Sequence, residues 1–496
     1  MSEQRSGSEA TPWAVLVIGA GFGGLGMAIA LVRSGEHDVV LLEKGDDVGG
    51  VWRENTYPGA ACDVPSHLYS FSFEPNPHWS RTYSPQAEIL SYLRHCADKY
   101  AVRDKIRFGC EVSGAAFDEQ TSLWRVEWRD AQGGAHAGHA RKVVSAVGLL
   151  SRPAMPAVPG LDSFDGPVFH SAKWRHDMPL EGKRIAVIGT GASAIQFVPQ
   201  IAPKVARLTL FQRTPSHILP RADRAYSERE RRRFLRWPVL MAAHRALIYM
   251  THDLRAVGFT RLRWMMDIVG GMPSRRLLKA QVPDAALRDK LTPRYPVGCK
   301  RILISNDWLP TLSRPNVELV TDAIEAVTPT GVRVVGGREI GVDAIVLGTG
   351  FSASEFLAPM AIHGRGGRSL NAAWSQGAQA WLGISVPGFP NFFMIYGPNT
   401  NLGHNSIVFM LESQVAHVMR CLRKLRDARG VTIEMTTAPF ERFNARVQQR
   451  SQQTVFAGCT SWYVDANGRH TVNWPGFTTT YRWLTRYAGL GAYAVR

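Results

Sequence analysis

The chain has 496 residues, 45% apolar and 20% charged. That excludes a disordered chain and exceeds what one ordinary core holds, so two or more domains are expected. Lysine and arginine number 58 against 41 acids, a net charge of +17, which suits anionic cofactors, a membrane surface or nucleic acid, but no basic segment interleaves aromatics as a nucleic-acid module does, so no nucleic-acid partner is expected.

Residues 1–12 are polar and lack the apolar core of a signal peptide. Residues 14–19 (Ala-Val-Leu-Val-Ile-Gly) then read as a buried strand, followed by a glycine turn, a helix over 25–34 and a second strand over 38–43. The turn is Gly19-Ala-Gly21-Phe-Gly-Gly24. Its glycines permit a tight bend and let backbone N–H groups approach a pyrophosphate at the helix N-terminus. Glu43 closes the next strand 19 residues after Gly24, close to the spacing of about 20 at which an acid takes a ribose diol. Strands that run into glycine recur at 142–148, 343–350 and 391–397, and Pro153, Pro156 and Pro159 punctuate the exit from the first region.

Residues 184–189 (Arg-Ile-Ala-Val-Ile-Gly) begin a second such unit, with the turn Gly189-Thr-Gly191-Ala-Ser-Ala194. Thr190, Gly191, Ser193 and Gln196 at the head of its helix are the expected cofactor contacts. Here the following strand ends in Gln212-Arg213-Thr214, with Arg213 again 19 residues past the turn. A guanidinium pairs a ribose 2′-phosphate that an acid would repel, so Arg213 and Thr214 argue for NADPH over NADH. Two dinucleotide sites in one chain point to a flavoenzyme reduced by a nicotinamide. Residues 222–290 read as a basic helical insertion containing Trp and Met. Its most apolar stretch, 237–250, contains His244 and Arg245 and is too short to cross a bilayer, which leaves peripheral membrane contact open. Six cysteines, Cys62, Cys96, Cys110, Cys299, Cys421 and Cys459, form no C-x-x-C pair. No metal site or dithiol motif is expected, and so sparse a set fits a reducing cytoplasm.

Phe164-Asp-Gly166-Pro-Val-Phe-His170-Ser-Ala-Lys-Trp174 matches F-x-G-x-x-x-H-x-x-x-W, so the chain resembles the type I Baeyer–Villiger monooxygenases. It departs from them at Arg175, where Pro or Asp is usual. Gly49-Gly50-Val-Trp52 followed by Tyr57-Pro58-Gly59 and Asp63 is similar to another segment of that family, as is Gly298-Cys-Lys300-Arg301. Residues 343–351 are similar to its A-T-G strand, with Gly348 in place of Ala, and Ser461-Trp462 to its mobile control loop. The likeness spans about 14–485. It implies FAD contacts from Gly19, Gly21, Gly24, Glu43, Gly50, Trp52, Asp63, Tyr69 and Val112. It further implies that Lys300 holds the nicotinamide 2′-phosphate, that Arg301 lies beside the flavin C4a with Asp63 orienting it, and that Trp462 closes over NADP. Residues 397–405 depart from cyclohexanone and phenylacetone monooxygenases, so no substrate is carried over.

In such enzymes the reduced flavin takes up O2 as a C4a peroxide, and a fixed cation favours its attack on a ketone. Arg301 is the expected cation, and His170 is expected to position the interdomain linker rather than act as a base. The expected fold is α/β, with two Rossmann-like domains and a helical insertion: FAD on 1–150 and 345–496, NADPH on 165–335, insertion on 222–290. The expected reaction is ketone, NADPH and O2 to ester or lactone, in the cytoplasm. The alternative is an S- or N-oxygenating flavin monooxygenase, against which Trp174 and Arg301 speak. No feature specifies an oligomeric state.

Overall fold

Four successive buried aliphatics at Val15–Ile18 (β1) suit only a strand covered on both faces. In the computed structural model, which describes residues 7–487 and 489–496, β1 feeds the helix Phe22–Arg33 (α1). The chain returns along Val39–Leu42 (β2), parallel to β1 in the register Val15↔Val39. Val143–Ser145 (β3) pairs on the other side of β1. Phe392–Met394 and Ile106–Arg107 complete a five-stranded parallel sheet. This first unit therefore draws strands from both ends of the chain.

The second unit repeats the design. Arg184–Ile188 (β4), Ala194–Ile201 (α2) and Arg207–Phe211 (β5) form its core, with Val317–Val320 beside β5. Ala344–Leu347 pairs with β4 and with Val168–His170 at the far edge. That strand belongs to the second sheet, so the return to the first unit comes after residue 347 and not at 345 as expected.

The expected helical insertion follows β5. Ser227 and Glu230 form a capping box that starts Glu228–Arg236 (α3). Pro238, whose missing N–H costs nothing in a first turn, starts Pro238–Leu254 (α4). Short helices continue to Leu291. The polar side of α4 holds it on the first unit: Arg245 donates to the Ser70 carbonyl at 2.9 Å, and Tyr249 stacks on Phe409 of the long helix Ile407–Asp427 (α5) at 4.6 Å. Asp253 takes the backbone N–H of Thr478 at 2.7 Å, at the start of Thr478–Tyr487 (α6). Burial works against the charge on Asp253, but nearby His404, 3.9 Å away, and hydrogen bonds from Thr478 and Thr479 prevail and hold its carboxyl below the usual range. Among the described residues no helix is long and apolar enough to cross a membrane.

Cys299 and Cys459 form a disulfide, their Cα atoms 6.0 Å apart across a sequence separation of 160. Sparse cysteines without a C-x-x-C pair gave no sign of it, because the pairing arises from the fold. The other four thiols are free and buried.

Candidate active site

The first glycine turn is a backbone cradle. Gly21 caps α1 in extended geometry without a side-chain hydrogen bond, leaving the opening N–H groups of the helix for an anion. A Cβ on Gly24 would stand 1.8 Å from the Gly19 carbonyl oxygen, so only glycine lets α1 pack this closely on β1. A Cβ on Gly21 would lie 3.6 Å from Gly50 Cα, so the Gly49–Gly50 turn lies close over the first. Glu43 is buried just beyond β2. Its Oε1 takes Arg53 and the Gly45 N–H, both at 2.9 Å, and among the described residues its Oε2 takes only the Ala20 N–H at 2.8 Å. Oε2 therefore retains capacity for a hydroxyl, and the cradle and donor set fit an adenine dinucleotide. Trp52 Nε1 donates to Tyr69 Oη at 3.2 Å, and Tyr69 meets Phe22 edge-on at 5.2 Å. Val112 is buried in the Glu111–Asp118 strand, in the apolar cluster that holds Leu42.

At the second turn a Cβ on Gly189 would strike the Gly348 carbonyl at 2.4 Å, whereas one on Gly191 would meet nothing within 4 Å. That open space at the head of α2 suits a phosphate. Thr190 Oγ1 donates to the Thr214 carbonyl at 3.4 Å, and Ser193 immediately precedes α2 without a side-chain capping bond. A cavity of about 540 Å³ next to this turn is lined by Thr214, Lys290, Arg294, Lys300, Cys459 and Thr460 among others. Lys300 lies 4.9 Å over the Tyr295 ring. Burial pushes the Lys300 ammonium down, and the nearby charge of exposed Arg213 pushes it the same way. Two cations held close enough to repel are a fitting donor set for a 2′-phosphate.

Asp63 and Arg301 join the halves of the molecule. Arg301 Nε donates to Asp63 Oδ2 at 3.1 Å, and Nη2 donates to the same oxygen. The Asp63 charge drives the guanidinium pKa further above its ordinary value. About a third of each side chain stays accessible. Tyr57 Oη donates to Gln196 Oε1 at 2.9 Å, and Gln196 Nε2 donates to the Ala61 carbonyl at 3.0 Å. Gln196, expected as a cofactor contact, thus also fastens α2 to the Tyr57-Pro58-Gly59 turn.

Phe164, Gly166, His170 and Trp174 lie along the second sheet. A Cβ on Gly166 would meet the Asp343 carbonyl at 2.7 Å. His170 pairs with Leu347 in the sheet, accepts the Ala172 N–H at Nδ1 (3.1 Å) and meets Phe351 edge-on. Burial lowers its imidazole pKa. Trp174 packs against Phe169 and Phe197. These contacts describe linker packing. Trp462 is 40% exposed, its ring 4.5 Å from Tyr463, and Ser461 Oγ accepts the Tyr463 N–H at 3.4 Å.

Residues 13–231 match the flavin-binding monooxygenase-like family model. A Baeyer–Villiger monooxygenase of Pseudomonas aeruginosa is 47% identical over 99% of this chain and 93% of its own length. The chain belongs to the Baeyer–Villiger monooxygenases. Among solved structures, an oxidised steroid monooxygenase bound to NADP superposes with a TM-score of 0.87 at 31% identity, covering 98% of this chain and 99% of that one. OTEMO in complex with FAD and NADP gives 0.87 at 27% identity with the same coverage.

In this Baeyer–Villiger monooxygenase two tyrosines near Arg301 escaped the sequence reading. Burial pushes the phenols of Tyr396 and Tyr463 up, opposed by the charge of Arg301. Tyr396 Oη donates to Asn401 at 2.7 Å, and Asn401 donates to Asn473 at 2.6 Å. The only sequence hint was the divergent 397–405 loop.

Proposed function

We propose that Arg301, oriented by Asp63, is the cation that directs an FAD- and NADPH-dependent oxidation of a ketone to an ester or lactone. The overall change is ketone, NADPH, H⁺ and O2 to ester, NADP⁺ and water. The first unit, 1–150 with the C-terminal third, is read as the FAD domain; the second, 165–335 with the strand to residue 347, as the NADPH domain; and 222–290 as its insertion. Gly19, Gly21, Gly24, Gly50, Glu43, Trp52 and Tyr69 would hold FAD, with Val112 backing its sheet. Thr190, Gly191, Ser193, Gln196, Arg213, Thr214 and Lys300 would hold NADPH, with Trp462 closing over it.

When bound, FAD accepts hydride from NADPH and activates O2. The chain supplies placement and charge. Arg301 stays protonated at any working pH, so its field does not switch off as the reaction proceeds. A guanidinium fixed before reaction stabilises negative charge developing on oxygen without reorganising. Asp63 takes two N–H groups of the fork and fixes its plane, leaving Nη1 for substrate oxygen. Tyr463 stays protonated and can donate a hydrogen bond there, while the single O–H of Tyr396 is held by Asn401. The supporting observation is the Asp63–Arg301 pair across the junction of the units.

Product analysis on ketone and thioether panels tests this reading. Arg301→Ala should cut ester formation by about 10²–10³ while NADPH is still consumed. Unchanged ester formation, or a wild type that oxidises only thioethers and amines, would refute it.

A further inference from the structure

The polarity of α4 is inverted. Its inward side carries Arg245, Tyr249 and Asp253, all hydrogen-bonded to the first unit. Its outward stripe runs Val239, Ala243, Leu247, Met250, Leu254, at helical spacing. Val239 is 78% exposed, Leu247 64%, Met250 52% and Leu254 60%. An isolated fold gains nothing from such a stripe, and contiguous exposed apolar surface marks an interaction site. Trp237 begins the stripe and Trp264 follows on the next helices, both more than half exposed. Trp483 and Tyr487 of α6 are exposed as well, on the helix whose Thr478 bonds Tyr249.

Charge decides the occupant. Residues 228–264 hold nine arginines, of which Arg245 is spent on the inward side, and three acids. Of the acids, Asp253 is buried, Glu230 is paired with Arg224, and Glu228 lies 3.6 Å from Arg232. Two copies meeting through this face would bring like charges together. An anionic lipid surface complements it: apolar side chains enter the acyl boundary, and arginines and tryptophans lie at headgroup depth. We infer that α4 and its flanks form an in-plane docking surface for anionic membranes, which would bring the enzyme to lipid-dissolved apolar substrates.

Flotation of the full-length, flavin-loaded protein with vesicles tests this. One set contains equal parts phosphatidylglycerol and phosphatidylcholine, the other phosphatidylcholine alone. The wild type should float with the anionic vesicles, less well as salt rises and less well with the neutral set. Each buried apolar side chain contributes about tenfold and each arginine near the surface about fivefold. Leu247→Ser with Leu254→Ser should therefore lower partition about 100-fold, with melting temperature and flavin content unchanged. Should that pair misfold, Val239→Ser with Met250→Ser serves the same purpose. Absence of flotation, flotation of the serine variants equal to wild type, or an apolar dimer that these substitutions break in place of vesicle binding would each overturn the inference.

Discussion

Removing Arg213 or Lys300 should separate the two nicotinamide coenzymes. Lys300 lines the cavity beside the second glycine turn, and burial and then the nearby charge of Arg213 lower its pKa. A 2′-phosphate placed between them would relieve that repulsion. One charge-assisted hydrogen bond contributes about 1.5–3 kcal/mol, or about 10- to 150-fold in affinity. Arg213 is exposed and screened by solvent, so Arg213→Ala belongs at the lower end, about a tenfold rise in KM for NADPH. Lys300 is half-buried over Tyr295, so Lys300→Ala should cost about 30- to 100-fold. NADH lacks the phosphate, and its KM should hardly move in either variant. Steady-state coenzyme oxidation at saturating ketone measures both constants. Equal losses with NADH and NADPH would mean that these residues shape the site generally, and the phosphate reading would fall.

The glycine turns predict opposite outcomes for the same substitution. Gly24→Ala drives a methyl group into the Gly19 carbonyl and should yield protein that purifies colourless, with a lowered melting temperature. Gly191→Ala projects into open space; flavin absorbance and melting temperature should stay at wild-type values while KM for NADPH rises. Acid should destabilise the fold through three histidines. Burial, the first cause in each, lowers His67 to about 3 and His252 and His417 to about 4. Their folded pKa values lie below the ordinary 6.5, so the unfolded chain binds more protons, and stability present above pH 6.5 drains away as pH falls toward 4. Thermal melts at pH 7 and pH 5 should show a lower Tm at pH 5, and His417→Gln should flatten the dependence. A Tm that rises toward pH 5 contradicts the assignment.

The two dinucleotide units were legible because each signal in them is local: an all-aliphatic strand, glycines at positive φ or in tight packing, and a charged residue 19 positions on. Pairing across the chain was not local. Asp63 and Arg301 stand 238 residues apart, and nothing in their own neighbourhoods links them; the family likeness carried that expectation. Tyr57 and Gln196 meet over 139 residues and were read as belonging to separate functions. The strand at Ala344–Leu347 carried the right pattern, but its pattern does not say which of two similar sheets it enters. On α4 the periodicity was visible, but not the side that faces the protein. Apolar spacing alone suggests burial, and only the hydrogen bonds of Arg245 and Asp253 reveal the reverse.

The Cys299–Cys459 bond has a mechanical consequence. It fastens the segment bearing Thr460, Ser461 and Trp462 to the turn that immediately precedes Lys300 and Arg301. Were the one segment to swing, it would pull on the other, and the proposed grip on the nicotinamide would be coupled to the proposed aim of the guanidinium. Cleaved by a reductant, the same molecule would have two independent parts where it had one lever.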